Sequence, residues 1–93
     1  MSIELTPDMH LLFTVEDTFD ITGRGLVVIS GPNIYPTHFK SGNKVSLKRP
    51  NGELLEHCAY VEMNTPNPQK ILALSLPGLT KNDVPIGTEI WAK

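Results

Sequence analysis

The chain has 93 residues, with 8 Lys and Arg against 10 Asp and Glu, which gives a formal charge of −2. That length fits one domain spanning residues 1–93, and the low charge argues against disorder and against the strongly basic surface of a general nucleic-acid binder. No apolar run approaches the roughly 20 residues of a membrane span, and the sequence has no secretion signal and no cysteine other than Cys58. Composition therefore predicts a small cytoplasmic domain without a membrane partner or an internal disulfide.

Short apolar stretches separated by turn residues predict β-strands along the whole chain. Alternation and β-branched content predict six strands. They are Leu11–Asp17, Leu26–Ile29, Lys44–Lys48, Glu53–Met63, Ile71–Leu76 and Thr88–Ala92. Alternating side chains in the first and third are typical of strands with one buried face. The second is a β-branched run, which predicts a strand that is buried on both faces. The fourth is long enough to be a bent strand.

Glycine and proline mark the turns between these strands. Gly23 and Gly25 permit the positive φ of a tight bend, and Asn51-Gly52 between two strand-like stretches is the strongest local hairpin signal in the chain. Prolines indicate loops at 33–42 and 64–69, because proline cannot donate to a strand ladder.

One helical turn is the most that the sequence predicts. Thr80 is placed to cap it, with Asp83 three residues later. No longer stretch has helical periodicity. The sequence therefore predicts an all-β domain that hides its sheet edges by closing into a barrel or splitting into a sandwich.

Motifs for catalysis and metal binding are absent from the sequence. It contains no G-x-x-x-x-G-K-S/T, G-x-S-x-G or H-E-x-x-H, so nucleotide hydrolysis of the P-loop type is not expected. His10, His38 and His57 are far apart, and adjacent His57 and Cys58 would point to opposite faces of a strand. Cys58 is more often a core residue than a nucleophile in such a setting. We expect no metal, no other cofactor and no enzyme activity.

The block from Phe13 to Val28, FTVEDTFDITGRGLVV, resembles the opening of the second, β-barrel domain of elongation factor Tu and related translational GTPases. The shared pattern is an acidic pair, an aromatic residue, a β-branched residue, Gly-Arg-Gly and an apolar stretch. Further likenesses follow in order at Gly42, at Cys58–Met63 with its Val-Glu-Met ending, and at Leu74–Gly87. The resemblance covers most of the chain and implies a six-stranded closed antiparallel barrel of this translation-protein type.

The resemblance also implies binding residues. Glu16 and Asp17 match acids that line the amino-acid pocket of the family, and Glu62 matches the glutamate that contacts the terminal adenosine of tRNA. The turn Gly23-Arg24-Gly25 matches a region that faces the GTPase domain and, on one side, the aminoacyl end of tRNA. Arg24 has a simpler alternative role, an ion pair with Glu16 or Asp17 that holds the hairpin.

The chain also departs from the family pattern. It has no GTP-binding domain, and Asn64-Thr65-Pro66 stands where the family has a phenylalanine and basic residues that hold the tRNA end. One basic cluster remains, made of Lys40, Lys44, Lys48 and Arg49. These cations indicate either a contact with RNA or an acidic protein, or a solvated edge strand whose lysines deter aggregation.

The leading hypothesis is a non-catalytic, stand-alone barrel that binds a protein partner, because the net charge is negative and the tRNA-holding bases are missing. An alternative is an accessory that binds aminoacyl-tRNA or the ribosome through the matched acids and the basic cluster. A third is a decoy or immunity-type mimic of elongation factor Tu. Leu5, Leu54 and Trp91 are candidates for an exposed apolar patch that a partner would cover.

Overall fold

The computed structural model describes residues 5–23, 25–31, 39–62 and 71–93. Within these residues the protein is all-β and contains no helix, which confirms the predicted class. The eight strands are β1 His10–Thr14, β2 Asp17–Ile21, β3 Gly25–Ile29, β4 Lys44–Lys48, β5 Leu54–Cys58, β6 Tyr60–Val61, β7 Ala73–Leu76 and β8 Glu89–Ala92. They form two four-stranded antiparallel sheets, the first in the order β1-β8-β4-β5 and the second in the order β2-β3-β7-β6.

Two of the predicted strands are each divided in the structure, so the predicted count of strand segments is wrong. The segment predicted as Leu11–Asp17 is β1 followed by a separate strand, β2, that extends to Ile21. The predicted bend in the fourth strand is confirmed, since Ala59 separates β5 from β6. Sequence alternation misses β2 because Thr18 is its only buried residue, which leaves no apolar pattern to detect.

At the first division the chain passes directly from one sheet to the other. Val15 donates its N–H to the Thr88 carbonyl (2.8 Å) and accepts from the Gly87 N–H (3.0 Å), both next to β8. The following residue, Glu16, donates to the carbonyl of Ile29 in the second sheet (2.9 Å). The edge strand β1 of the first sheet thus continues into the edge strand β2 of the second.

The second division repeats this arrangement. Ala59 donates to the Asn43 carbonyl (3.0 Å) and accepts from the Gly42 N–H (2.7 Å), both beside β4 of the first sheet. Glu62 then donates to the Ala73 carbonyl of the second sheet (2.9 Å). The edge strand β5 therefore continues into the edge strand β6. At both edges, one continuous segment of the chain contributes an edge strand to each sheet.

Apolar side chains from both sheets meet in one buried core. Its members are Phe13, Val15, Leu26, Val28, Val45, Leu47, Ala59, Leu74, Leu76, Val84, Ile90 and Ala92. Val45 and Leu47 point inward as their alternation predicts. Val27 of β3 is also buried but lies outside this core cluster, which agrees with the prediction that β3 is covered on both faces.

The predicted hairpin between β4 and β5 is confirmed. Gly52 has a φ of 92° and donates its N–H to the Arg49 carbonyl at 2.8 Å, while Arg49 donates to the Glu53 carbonyl at 2.8 Å. This is a three-residue hairpin loop with glycine at the position that needs positive φ. Of the two predicted loops, 64–69 lies outside the described residues, and so does the 33–38 part of the loop predicted at 33–42.

Candidate functional site

Three acids implied by the resemblance lie at one end of the second sheet. Asp17 begins β2 and faces Ile29 at the end of β3, which in turn faces Ala73 at the start of β7. Glu62 is bonded through its N–H to Ala73, and Glu16 directly precedes Asp17. The fold therefore brings Glu16, Asp17 and Glu62 to a common end, which we call the acidic end.

The glycine turn lies at the opposite end of the same sheet. Gly23 and Gly25 have φ angles of 85° and 90°, which confirms the predicted reversal, and Gly25 faces Ile21 in the β2-β3 pair. A Cβ added to Gly25 would lie 3.0 Å from the Pro77 Cα. The turn is therefore packed against the chain that follows β7, and Gly25 has a structural reason to be glycine.

Arg24 lies outside the described residues, so its exposure and its pairing with Glu16 or Asp17 stay predictions. Its neighbour Gly23 stands beyond one end of β2, whereas Asp17 begins the other end. Strands rise about 3.4 Å per residue, so roughly 14 Å separates the two ends of this five-residue strand. The matched residues thus occupy both ends of the sheet and do not form one compact cluster.

The outer face of the second sheet carries a row of side chains that the sequence analysis did not single out. Phe19 faces Val27, Val27 faces Ser75, and Ser75 faces Tyr60 across successive strand pairs. We call these residues the aromatic row, because facing residues project to the same side of a sheet. Phe19 is 45% exposed and Tyr60 is 44% exposed. Alternation around buried Thr18 would have placed Phe19 outside, had β2 been predicted.

The surroundings of the aromatic row are apolar and acidic. Ile21, on the same face of β2 as Phe19, is 39% exposed. In the described strands β2, β3, β6 and β7 there is no lysine, arginine or histidine, while Asp17 and Asp20 are exposed. This face of the molecule therefore favours a binding partner that offers apolar and basic side chains.

The structure divides the predicted basic cluster. Lys44 begins β4 and Lys48 ends it, so roughly 14 Å separates them at about 3.4 Å per residue. Lys40 precedes the Lys44 end, and Arg49 follows the Lys48 end. The edge-strand interpretation of these lysines is wrong, because β4 pairs with β5 on one side and with β8 on the other. Local sequence patterns give no sign of the long-range pairing with β8.

Arg49 joins the β4-β5 hairpin to the turn before β8. Its Nε donates to the Asp83 carbonyl at 2.7 Å, and its guanidinium nitrogens lie 3.9 Å from the Asp83 carboxylate and 3.8 Å from the Glu53 carboxylate. The side chain is only 22% exposed. These contacts give Arg49 a structural role and set it apart from the exposed lysines.

The predicted helical turn at Thr80 is a hydrogen-bonded turn without a helix. The Asp83 carboxylate accepts from the Thr80 N–H at 2.8 Å and from the Thr80 hydroxyl at 3.1 Å. These two bonds, in that order, together with nearby Arg49, hold the pKa of Asp83 below its ordinary value of 3.8. The carboxylate thus closes the turn that leads into β8.

Lowering the pH should therefore reduce the stability of the fold, because it protonates the Asp83 carboxylate. A carboxyl group whose pKa is lower in the folded than in the unfolded state stabilises the fold at pH values above its unfolded pKa. This stabilisation is lost as the pH falls through the pKa of the folded state. We expect Asp83→Asn to be less stable than the wild type above pH 3.8, and the difference to shrink below it. Urea denaturation of both proteins across this range measures the effect, and a constant difference would contradict it.

The apolar patch predicted from Leu5, Leu54 and Trp91 is not exposed, since all three are half-buried. Trp91 donates its Nε1–H to Glu89 at 3.0 Å. The exposed large apolar side chains of the described residues are Leu11, Phe19, Ile21, Tyr60 and Ile86. Three of these five belong to the outer face of the second sheet.

No protein-family model matches the chain, and no curated protein or solved structure matches it. Within residues 5–23, 25–31, 39–62 and 71–93, no group of three His, Cys, Asp or Glu side chains is placed to hold a metal ion. Over the same part of the chain there is no helix with the length and apolar character to cross a membrane. We therefore infer function from the surfaces of the chain itself.

Proposed function

We propose that this chain is a non-catalytic, cytoplasmic protein-binding domain, and that its binding surface is the outer face of the second sheet. The observation that carries the proposal is the exposure of Phe19 and Tyr60 at the two ends of the aromatic row, between which Val27 and Ser75 are buried. Phe19 and Tyr60 are large, nearly half exposed and on the same face. Ile21 is an exposed neighbour of Phe19 on the same face of β2. Exposed apolar side chains that lie together are typical of interaction sites, and aromatic residues are enriched in protein interfaces.

We also propose that the two sheets form the six-stranded closed barrel of the elongation factor Tu second-domain type. The continuity of β1 with β2 and of β5 with β6 supports this, because each continuous segment pairs in both sheets. If β1-β2 and β5-β6 are each counted as one strand, six strands pair in a ring. Their order is β8, β4, β5-β6, β7, β3 and β2-β1, and the last pairs again with β8. The resemblance of the Phe13–Val28 block to that domain is a second, independent argument for the same fold.

The negative charge near the aromatic row indicates which class of partner this surface would bind. The acidic end places negative charge beside the aromatic row, because exposed Asp17 is on the same face of β2 as Phe19. Complementary charge speeds association and suppresses wrong partners, so the partner is a protein with Lys or Arg around an apolar contact. The same negative charge repels phosphate groups, which supply much of the affinity of nucleic-acid binders. A protein partner is therefore favoured over RNA at this face.

Affinity capture from a cell lysate tests this proposal, with mass spectrometry and RNA sequencing on the same eluate. We expect the wild type to recover a specific protein that the double variant Phe19→Ser/Tyr60→Ser loses. Both side chains are exposed, so the change should alter the free energy of unfolding by no more than about 0.5 kcal/mol for each residue.

Ile86→Ser is the matched control, because Ile86 is 61% exposed and lies outside both sheets. It should retain the captured protein. An eluate that contains RNA but no protein, or a protein still retained by the Phe19→Ser/Tyr60→Ser variant, would overturn the proposed surface.

A second candidate function is binding of aminoacyl-tRNA, and the grouping of Glu16, Asp17 and Glu62 at the acidic end favours it. In the resembled family the matching acids contact the aminoacyl end of tRNA. The same eluate distinguishes the two candidates, because charged tRNA would be recovered by the wild type and lost with Glu62→Gln. Recovery of a known partner of elongation factor Tu would instead favour a mimic of that factor.

A further inference from the structure

A pocket of about 250 Å³ opens at the end of the first sheet where β4 begins and β8 ends. It is lined by Phe39, Lys40, Asn43, Lys44, Ala92 and Lys93. Three of these six residues are lysine, and none is acidic. The pocket lies on the first sheet, so it is separate from the protein-binding face proposed above.

The register of the first sheet explains why the lysines converge. In the antiparallel β4-β8 pair, Ser46 faces Trp91 and Lys48 faces Glu89. Extended by two residues beyond the Ser46–Trp91 pair, this register would set Lys44 opposite Lys93, and both lysines line the pocket. Like charges directly opposite on neighbouring strands destabilise a sheet, so this end of the pair is electrostatically unfavourable without a counter-ion.

Lys40 is brought to the same place by a tight turn. Asn43 donates its N–H to the Lys40 carbonyl at 3.1 Å, and Gly42 within the turn has a φ of 94°. The turn leads directly into Lys44, the first residue of β4. A third cation and the Asn43 side-chain amide, a potential hydrogen-bond donor, therefore line the same pocket.

The acids near the pocket neutralise it only in part. Lys44 Nζ lies 3.3 Å from Glu56, and Lys93 Nζ lies 4.0 Å from Asp8. The lysine side chains of these pairs are 69% and 71% exposed, and exposed ion pairs are weak. Lys40 has no acidic partner among the described residues. A bound anion would therefore contact three lysines. Two of them, Lys44 and Lys93, would exchange a weak ion pair for the contact with the anion.

We propose that this pocket binds a phosphate group with two or more negative charges, as in pyrophosphate or the terminal phosphates of a nucleotide. Lysine ammonium groups are point charges suited to phosphate, and Asn43 adds a neutral donor. The pocket volume of about 250 Å³ leaves room for a diphosphate. The anion would also relieve the repulsion between Lys44 and Lys93.

Calorimetric titration of the full chain with pyrophosphate at low ionic strength tests the proposal. We expect saturable binding that Lys44→Gln weakens about tenfold, which corresponds to about 1.4 kcal/mol. Glu56→Gln should tighten binding about threefold, because it frees Lys44 from its ion pair, and a charge contact near the surface is of this order.

Lys48→Gln is the matched control, since Lys48 is exposed on the same face of the same strand but does not line the pocket. It should leave the pyrophosphate affinity unchanged. An equal weakening by Lys48→Gln and Lys44→Gln, or no saturable binding by any of the proteins, would overturn the site. The tighter binding expected of Glu56→Gln is a gain that misfolding cannot produce.

Two further ligands identify the source of the phosphate. A nucleoside triphosphate and a single-stranded RNA oligonucleotide without terminal phosphates are titrated in the same way. Tighter binding of the triphosphate, with the same dependence on Lys44, supports a free or terminal phosphate as the ligand. Tighter binding of the oligonucleotide, with loss of affinity in Lys48→Gln, would contradict it and assign the lysines to a general nucleic-acid surface.

Discussion

Gly25→Ala is expected to lower the free energy of unfolding by about 3 kcal/mol, because two costs combine at this position. Gly25 has a φ of 90°, a conformation in which a Cβ is strained by roughly 1–2 kcal/mol. The added Cβ would also lie 3.0 Å from the Pro77 Cα and 3.2 Å from the Gly78 nitrogen. Both are backbone atoms, so neither can move aside without shifting the turn after β7.

Gly23→Ala separates the two costs. Gly23 has nearly the same φ, 85°, but a Cβ there would meet no atom within 4 Å. We expect a loss of about 1 kcal/mol, from backbone strain alone. Urea denaturation monitored by circular dichroism compares the two variants, and equal losses would contradict the packing argument. The second glycine of the Gly-Arg-Gly pattern would then have no structural role beyond its conformation.

Leu47→Ala is expected to destabilise the protein by about 3 kcal/mol, within the range of 2–5 measured for buried leucines. Leu47 is 0% exposed and belongs to the core shared by both sheets. It lies on β4, between Ile90 of β8 and Leu55 of β5. Neighbours on both sides limit how far the sheet can collapse into the cavity, so most of the cost should remain.

Leu54→Ala is the control on the same hairpin. Leu54 faces Lys48 on the outer side of the first sheet and is half-buried. The same deletion should therefore cost about 1 kcal/mol or less, because little cavity forms at the surface. Similar losses for Leu47→Ala and Leu54→Ala would show that the inward and outward faces of this hairpin are assigned wrongly.

Local sequence patterns were sufficient for the elements in which apolar and polar residues alternate along the strand. Val45 and Leu47 identify β4 and its inner face, and the Asn51-Gly52 pair identifies the hairpin, because both signals lie within a few residues. The strand β2 escaped prediction for the opposite reason. Its side chains, apart from Thr18, are exposed, so only its hydrogen bonds to β3 define it.

The candidate surfaces depend on pairings that no local pattern reveals. The aromatic row joins Phe19, Val27, Ser75 and Tyr60 from four separate strands. Lys93 was absent from the predicted basic cluster, yet it lines the same pocket as Lys44. Conversely, Arg49 is adjacent to Lys48 in sequence but turns to Asp83. The basic cluster was predicted from residues that are close in sequence, whereas the surfaces of the folded protein are formed by residues that strand pairing brings together.

The pairing of β1 with β8 has a consequence for biosynthesis. His10 faces Ala92, so β1 finds its partner only when β8 has also emerged from the ribosome. Contacts between such distant segments slow folding, because the intervening chain must be ordered first. Until then the edge of β1 is unpaired and vulnerable to aggregation. This domain therefore completes its fold only after β8 has emerged, and chaperones have that interval in which to protect it.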